Sequence, residues 1–317
     1  MPMIEPHKLI LTECHSPTQR RDIDKISDAL MRQPSLDSRY AYVTLTELCK
    51  HTSGKFKPFC DFLDKIDPRP QAARLRTGLR AEYSKYLTIR DTAPEFLRRD
   101  EVALLTPNNL ISVNPGQENT VVVFTTMFNN FYFSNFTLAA LLVEAGYSAI
   151  FLNESTGHFY LNGIPGVADS WVALMRKLTE TLQRIPGRVT FTGFSSGGYA
   201  ALLAATHLRP DHFICFSGNV DLSESSPIRV PKLFTLEKRN QTPAELRIDL
   251  STVIRKAGLK GCAYAGTESE RDVEHMRLLS DISGVHTHLL EGEGHLSVRR
   301  LLMDGKFIDA LRFGSGS

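Results

Sequence analysis

The stretch Arg188-Val-Thr-Phe-Thr-Gly-Phe-Ser-Ser-Gly-Gly-Tyr-Ala-Ala-Leu-Leu-Ala-Ala205 decides how the rest of the chain is interpreted. It begins with a short run rich in β-branched and aromatic residues. Two serines and three glycines follow, and the stretch ends in an Ala/Leu run of high helix propensity. This order predicts a strand, a tight turn and a helix.

The turn carries the pattern G-x-S-x-G, with Gly193, Ser195 and Gly197 at its three defined positions. Between a strand and a helix this pattern is typical of a nucleophile elbow. Glycine is needed on both sides because side chains there would collide with neighbouring backbone. The helix start behind Ser195 offers free N–H groups and a positive dipole end, which can stabilise an oxyanion. We predict that Ser195 is a nucleophile; the alternative is a Gly/Ser turn that only reverses the chain.

Composition excludes several classes of protein. The 317 residues are 42% hydrophobic and 23% charged, as in ordinary globular proteins, and the formal net charge of +2 gives no case for nucleic-acid binding. No apolar run approaches the roughly 20 residues that span a bilayer, and the N-terminus lacks the features of a signal peptide. We therefore expect a cytoplasmic protein without a membrane span.

Cysteine usage supports the same expectation. The five cysteines, an odd number without a CxxC pair, argue against a disulfide framework and against a zinc site. We expect no metal and no cofactor. Cys215 and Cys262 lie in apolar runs and are predicted to be buried.

The chain is predicted to have an N-terminal extension before its main domain. Residues 1–95 are dense in charge and poor in glycine, and several segments there have apolar residues at helical spacing. We interpret them as a helical extension that either packs on the catalytic domain, residues 96–313, or serves a homo-oligomer or a protein partner. Residues 314–317, Gly-Ser-Gly-Ser, resemble an added linker.

After residue 100, short apolar runs alternate with helical patterns. Strands are predicted at 102–105, 110–113, 121–126, 147–152, 189–192, 212–216, 261–265 and 286–290. Such alternation predicts an α/β fold with a mostly parallel central sheet and helices on both faces. Functional residues of such sheets gather at the carboxyl ends of the strands.

Those strand ends supply candidates for a base and an acid. A serine needs a base to act as nucleophile, and the base needs an orienting carboxylate. His295 follows the last predicted strand, in a glycine-rich loop where Gly294 would let the loop place the imidazole. Asp272, just before a predicted helix at 273–279, is the first choice for the acid, although it could instead be the N-cap of that helix. The alternative acids are Glu268, Glu270 and Asp221.

The loop after strand 121–126 is a candidate for substrate contacts. An oxyanion hole needs two backbone N–H groups, and we expect them from Ser196 and from this loop, with Met127 or Phe128 as donor. An aromatic cluster follows, of which some members would pack the core and others would line a pocket. From this loop we select Phe128, Asn129 and Tyr132 as candidate substrate-binding residues.

With Ser195, Asp272 and His295 in that chain order, residues from about 100 to 313 resemble the α/β-hydrolase superfamily. The resemblance implies a mainly parallel eight-stranded sheet with the three residues at strand ends. The segment 153–166 is also similar to a loop in hydrolase-like proteins of bacterial surface-polysaccharide gene clusters, some of which are O-acetyltransferases. The 44 or so residues between strands 212–216 and 261–265 predict either a small cap or a rim helix at 243–256.

Three functions follow as hypotheses. The first is a serine esterase or deacylase that acts through a covalent acyl-Ser195 on a small-molecule or glycan ester. The second is an O-acyltransferase, in which a sugar or other hydroxyl replaces water. The third is a non-catalytic binding or scaffold protein on the same fold.

Overall fold

The computed structural model describes residues 84–85, 88–89, 91–99, 103–104, 106–229, 231 and 233–312. Contacts within the chain divide it between Pro94 and Glu95, and the fold described here belongs to the unit Glu95–Ser317. The amphipathic segments predicted before residue 84 and the linker at 314–317 lie outside the described residues. The roles assigned to the extension remain predictions.

A seven-stranded sheet forms the centre of this unit. Its strands are β1 (Asn109–Val113), β2 (Asn119–Phe124), β5 (Ser148–Asn153), β6 (Arg188–Phe194), β7 (His212–Phe216), β8 (Gly261–Gly266) and β9 (Val285–Leu290), and a two-stranded ladder joins β3 (Asn130–Phe131) to β4 (Phe133–Ser134). The order in the large sheet is β1-β5-β2-β6-β7-β8-β9. Only β1 is antiparallel to its neighbour, and the other pairs are parallel.

Helices surround the sheet. They are α1 (Glu95–Arg99), α2 (Asn135–Glu144), α3 (Trp171–Leu182), α4 (Ser196–Leu208), α5 (Leu236–Asn240), α6 (Leu250–Ala257), α7 (Glu270–Ser280), α8 (Ser297–Met303) and α9 (Phe307–Arg312), with a 3₁₀ turn at Ala244–Leu246. The ten residues Ser196–Ala205 of α4 are all buried, so this helix is covered by its neighbours as well as by the sheet. No helix among the described residues is both long and apolar enough to cross a membrane.

The central strands have the burial that the sequence predicts. β2, β5 and β8 are buried almost throughout, as expected for strands covered on both faces. The expected α/β fold class is confirmed: the central sheet is mostly parallel and has helices around it, and the strand–turn–helix at 188–205 is β6 followed directly by α4. Cys215 and Cys262 are free and buried, as predicted.

Several local predictions were wrong. The resemblance implied eight strands, whereas the described residues form seven in the main sheet. The run 102–105 was predicted as a strand, yet Ala103 and Leu104 are helical. The rim helix at 243–256 is two elements, because Asp249 accepts from the N–H of Ser251 and caps a new helix, α6, after the 3₁₀ turn.

Candidate active site

The geometry of the turn between β6 and α4 shows why the turn contains glycines. Ser195 has φ 56° and ψ −115°, a strained conformation for a residue with a side chain. A Cβ on Gly193 would lie 2.1 Å from the carbonyl oxygen of Gly197, and one on Gly197 would lie 2.1 Å from that of Phe124. The N–H of Ser195 donates to the carbonyl of Phe216 at 2.9 Å, which ties the turn to β7. Only glycine on both sides allows this turn to form.

A chain of hydrogen bonds joins Ser195 to two residues far along the sequence. The Ser195 hydroxyl lies 2.9 Å from His295 Nε2, and His295 Nδ1 lies 2.7 Å from Asp272 Oδ2. Because the carboxylate can only accept, Nδ1 carries the proton of a neutral imidazole and Nε2 accepts from the serine hydroxyl. The imidazole also packs at a tilt on Phe194, with 5.4 Å between ring centroids. The structure thus brings together the three residues that the sequence selected as nucleophile, base and acid.

Asp272 is set apart from the alternative acids by its position. Its side chain is 1% exposed, whereas Glu268 and Glu270 lie in solvent, and Asp221 accepts from the N–H of Ser223. Burial by itself raises the pKa of Asp272, but the hydrogen bond from His295, the charge of His295 when it is protonated, and the charge of Arg271 outweigh burial and hold that pKa below its ordinary value. Asp272 is therefore buried and ionised.

The alternative role of Asp272 as an N-cap is wrong, and so is the predicted start of its helix. α7 begins at Glu270, three residues earlier than predicted, and Ser269 occupies the N-cap position. Asp272 therefore lies in the first turn of α7, where the positive end of the helix dipole also favours a carboxylate.

The loop after β2 faces the elbow with its backbone. The N–H of Met127 donates to Ser196 Oγ at 3.1 Å, whereas the N–H of Phe128 is directed to Thr126 Oγ1 at 3.3 Å. Of the two donors considered from the sequence, Met127 is the one whose N–H points at the elbow. The N–H of Ser196 belongs to the first turn of α4, where backbone N–H groups have no acceptor within the helix.

The candidate substrate-binding residues differ in exposure. Phe128 is partly exposed, Asn129 is 8% exposed, and Tyr132 is 3% exposed with its ring against Phe133. Asn129 and Tyr132 have φ values of 52° and 77°, so the loop turns sharply on both sides of β3. Tyr132 thus contributes to core packing, and Phe128 is the accessible aromatic side chain of the three.

Gly266, not Gly294, is the glycine that the His295 loop requires. A Cβ on Gly266 would lie 2.1 Å from the Glu293 carbonyl oxygen and 2.2 Å from that of Gly294. A Cβ on Gly294 would meet nothing within 4 Å, and its φ is not in the left-handed region. The expectation that Gly294 allows the placement of the imidazole is wrong, because the close approach is made at the end of β8.

A small cap between β7 and α6 is anchored to α4, the helix that follows Ser195. The hydroxyl of Tyr199, one helical turn after Ser195, donates to the Leu246 carbonyl at 2.6 Å and accepts from the N–H of Ile248 at 2.9 Å. Tyr199 is fully buried. The anchoring residue therefore belongs to the same helix that supplies the elbow.

The cap also brings a lysine near the loop that holds Met127. A Cβ on Gly157 would lie 2.3 Å from Lys238 Nζ and 2.3 Å from Met127 Cε, so the ammonium group and the methionine side chain approach each other there. His158 Nε2 lies 3.0 Å from Gln241 Oε1 and links the loop after β5, which contains Gly157, to the cap. Lys238 could not be predicted from the sequence, since a lysine in a charged segment has no distinguishing pattern.

Within the described residues, no cluster of three or more histidine, cysteine, aspartate or glutamate side chains could hold a metal ion. The guanidinium of Arg271 contacts Asp272, and this contact was not predicted. The only signal was the place of Arg271 next to the candidate acid, which says nothing about where the side chain points.

Comparisons with known proteins give similarity in structure but not in sequence. A scan against protein families and a search of curated proteins found no match. A carboxylesterase of the thaumarchaeon Nitrososphaera gargenis is similar at 17% identity and a TM-score of 0.44, over 65% of this chain and 94% of the other. XC6422 of Xanthomonas campestris, a serine hydrolase without a lid, is similar at 18% identity and a TM-score of 0.40, over 65% and 86%. Est1E of Butyrivibrio proteoclasticus is similar at 13% identity and a TM-score of 0.43, over 64% of this chain and 92% of the other. These similarities are too low to indicate an activity.

Proposed function

We propose that the chain is a serine hydrolase that cleaves a carboxylic ester through a covalent acyl-Ser195. The observation that carries this proposal is the continuous hydrogen-bonded chain from Ser195 Oγ to His295 and on to the buried Asp272. This arrangement is what a serine needs in order to lose its proton as it attacks.

In the first half-reaction, Ser195 Oγ attacks the acyl carbon while its proton passes to His295 Nε2. Asp272 accepts from Nδ1, so the imidazolium forms next to a carboxylate that is already ionised. The proton then goes from Nε2 to the oxygen of the departing alcohol, and the C–O bond of the ester breaks. The products of this step are the free alcohol and the acyl-enzyme.

The developing oxyanion would be held by the N–H groups of Ser196 and Met127. In the resting structure the Met127 N–H donates to Ser196 Oγ, so the oxyanion would replace a hydroxyl as its acceptor. A neutral hydroxyl accepts less strongly than a full negative charge, and the donor would therefore bind the transition state more tightly than it binds its resting partner.

In the second half-reaction, water gives a proton to His295 Nε2 as its oxygen attacks the acyl carbon. The bond between that carbon and Ser195 Oγ then breaks, and Nε2 returns the proton to Oγ, which releases the acid and restores Ser195. A hydroxyl acceptor in place of water would make the same protein an O-acyltransferase. The two outcomes share every residue named here and differ only in which nucleophile reaches the acyl carbon.

The test is hydrolysis of chromogenic acyl esters of different chain lengths by the wild type and by Ser195→Ala and His295→Ala. We expect turnover by the wild type and a loss of about 10⁴-fold or more in both variants. Adding a glycan acceptor separates the outcomes, since transfer would give an acylated glycan in place of free acid. Hydrolysis that persists in folded Ser195→Ala at the wild-type rate would overturn the proposal.

A further inference from the structure

We propose that Arg271 is a positioning residue that keeps the Asp272 carboxylate ionised and oriented while His295 is neutral. The inference rests on the proposed function, in which His295 acts as base with Asp272 as its partner. It adds a fourth residue, which touches the acid but not the reacting atoms.

The two oxygens of Asp272 have different partners. Oδ2 accepts from His295 Nδ1 at 2.7 Å, and Oδ1 accepts from Arg271 Nη2 at 3.2 Å. With both oxygens engaged, the plane of the carboxylate cannot turn without breaking one of these bonds. Arg271 therefore orients the oxygen that binds the imidazole by holding the other one.

Arg271 also supplies a counter-charge for the buried carboxylate of Asp272. The Asp272 side chain is 1% exposed, and a buried carboxylate without a counter-charge is costly. His295 cannot supply that charge in the resting state, because a base must be unprotonated to act. Arg271, whose side chain is 29% exposed, supplies the permanent positive charge of a guanidinium group.

Among the described residues, two other titratable groups that face Asp272, Cys215 and His275, are uncharged near neutral pH. Burial raises the pKa of the Cys215 thiol, from the end of β7, to about 12. Burial, aided by the charge of Arg271, lowers the pKa of His275, one turn along α7, to about 4. Asp221 interacts with His275 from the loop after β7, and Glu293 in the His295 loop lies 4.0 Å from Arg299. Arg271 is thus the permanent cation in contact with this carboxylate.

The position of Arg271 also opposes protonation of the base. Nη2 lies 3.5 Å from His295 Nδ1, whose proton is already donated to Asp272, so this contact brings two positive charges together once the imidazolium forms. Removing the guanidinium charge must therefore raise the affinity of the Asp272–His295 pair for a proton, whichever member carries it. A purely structural role for Arg271 does not have this consequence.

The experiment compares Arg271→Met, Arg271→Lys and the control Arg277→Met, an exposed arginine on the same helix. The pH profile of kcat/KM for ester hydrolysis is the first readout. We expect the acid limb of Arg271→Met to move to higher pH by about 0.5–1 unit, the effect of one nearby charge, with kcat reduced about 10-fold. Arg271→Lys keeps the charge, so its limb stays near that of the wild type, and Arg277→Met should change neither.

A second readout does not depend on activity. The NMR titration of the His295 imidazole, assigned by its loss in His295→Ala, should have a midpoint at higher pH in Arg271→Met than in the wild type. If Arg271→Met does not fold, Arg271→Gln removes the charge while keeping an N–H donor and carries the same expectation. If the wild type is active, and Arg271→Met changes neither the acid limb of the pH profile nor the midpoint of the His295 titration, the role of Arg271 is overturned. If the wild type is inactive, but the His295 titration in Arg271→Met has its midpoint at higher pH, only the esterase proposal is overturned.

Discussion

The two sides of Ser195 are built by different physical means. On the side of β2 and the elbow, the site consists of backbone groups packed so closely that glycine is required, with 2.1 Å from a Cβ on Gly197 to the Phe124 carbonyl. On the side of β8 and β9, it consists of charged and ionisable side chains, with Asp272 in the first turn of α7 and His295 in the loop after β9. The first side is determined by sterics and the second by electrostatics.

This difference explains which parts of the site are sensitive to which change. A backbone donor such as the Met127 N–H is unaffected by the identity of its own side chain, but it moves if the turn moves. A carboxylate such as Asp272 depends on the number and charge of its partners, and a change of one atom in its side chain alters its chemistry. Substitutions can therefore separate the two sides.

The largest effect is expected on the electrostatic side, from Asp272→Asn. The amide cannot supply the negative charge that stabilises the imidazolium, and it can donate to Nδ1 and favour the wrong tautomer, so kcat should fall about 10³- to 10⁴-fold. Glu268→Gln and Glu270→Gln make the same change on exposed carboxylates of the same region and should leave kcat nearly unchanged. A large loss of kcat in either glutamate variant, with activity retained in Asp272→Asn, would show that another residue is the acid.

On the steric side, Gly197→Ala should destabilise the fold. The new methyl group would lie 2.1 Å from the Phe124 carbonyl oxygen and 2.6 Å from that of Thr125, and we expect a loss of about 3 kcal/mol in the free energy of unfolding. Gly116→Ala is the control, since its φ of 96° is unfavourable but nothing lies within 4 Å. It should cost about 1 kcal/mol.

Urea denaturation of both variants provides the measurement. Equal losses of stability would mean that the turn can relax around an added side chain, and the steric account of the elbow would then fail.

The same contrast governs what the sequence could predict. The elbow is local: one run of residues contains the strand, both glycines and the proposed nucleophile, so Ser195 could be selected without knowledge of the fold. Asp272 and His295 were selected by chain order and strand ends, and three other acids remained open. The choice among them depends on burial and direction, which follow from packing between distant segments. Arg271 was missed for the same reason.

Errors at element ends have a related cause. The start of α7 was predicted too late because Glu270 and Arg271 carry no apolar signal, and its N-cap Ser269 was overlooked. Gly294 was given a role because it precedes His295, whereas the close backbone approach occurs at Gly266, which is near in space and 29 residues away in sequence.

The smallest effect is expected from substitutions of Gly266 and Gly294. Gly266→Ala should displace the Glu293–Gly294 backbone and with it the imidazole, which lowers kcat/KM about 10- to 100-fold, because misplacement of a catalytic group by about 1 Å has effects of this size. Gly294→Ala adds its methyl group to open space and should change kcat/KM less than about 3-fold. Ester hydrolysis by the two folded variants gives the comparison, and the reverse order of effects would contradict the role given to Gly266.

The central claim, that Ser195 is a nucleophile, is tested most directly by a fluorophosphonate probe. Intact mass measurement of the labelled wild type should show one adduct, located on Ser195 by peptide mapping, and none on folded Ser195→Ala. Asp272→Asn should be labelled much more slowly than the wild type. A wild type that stays unlabelled, or a Ser195→Ala variant that is labelled at the same rate through Ser196, would contradict the claim.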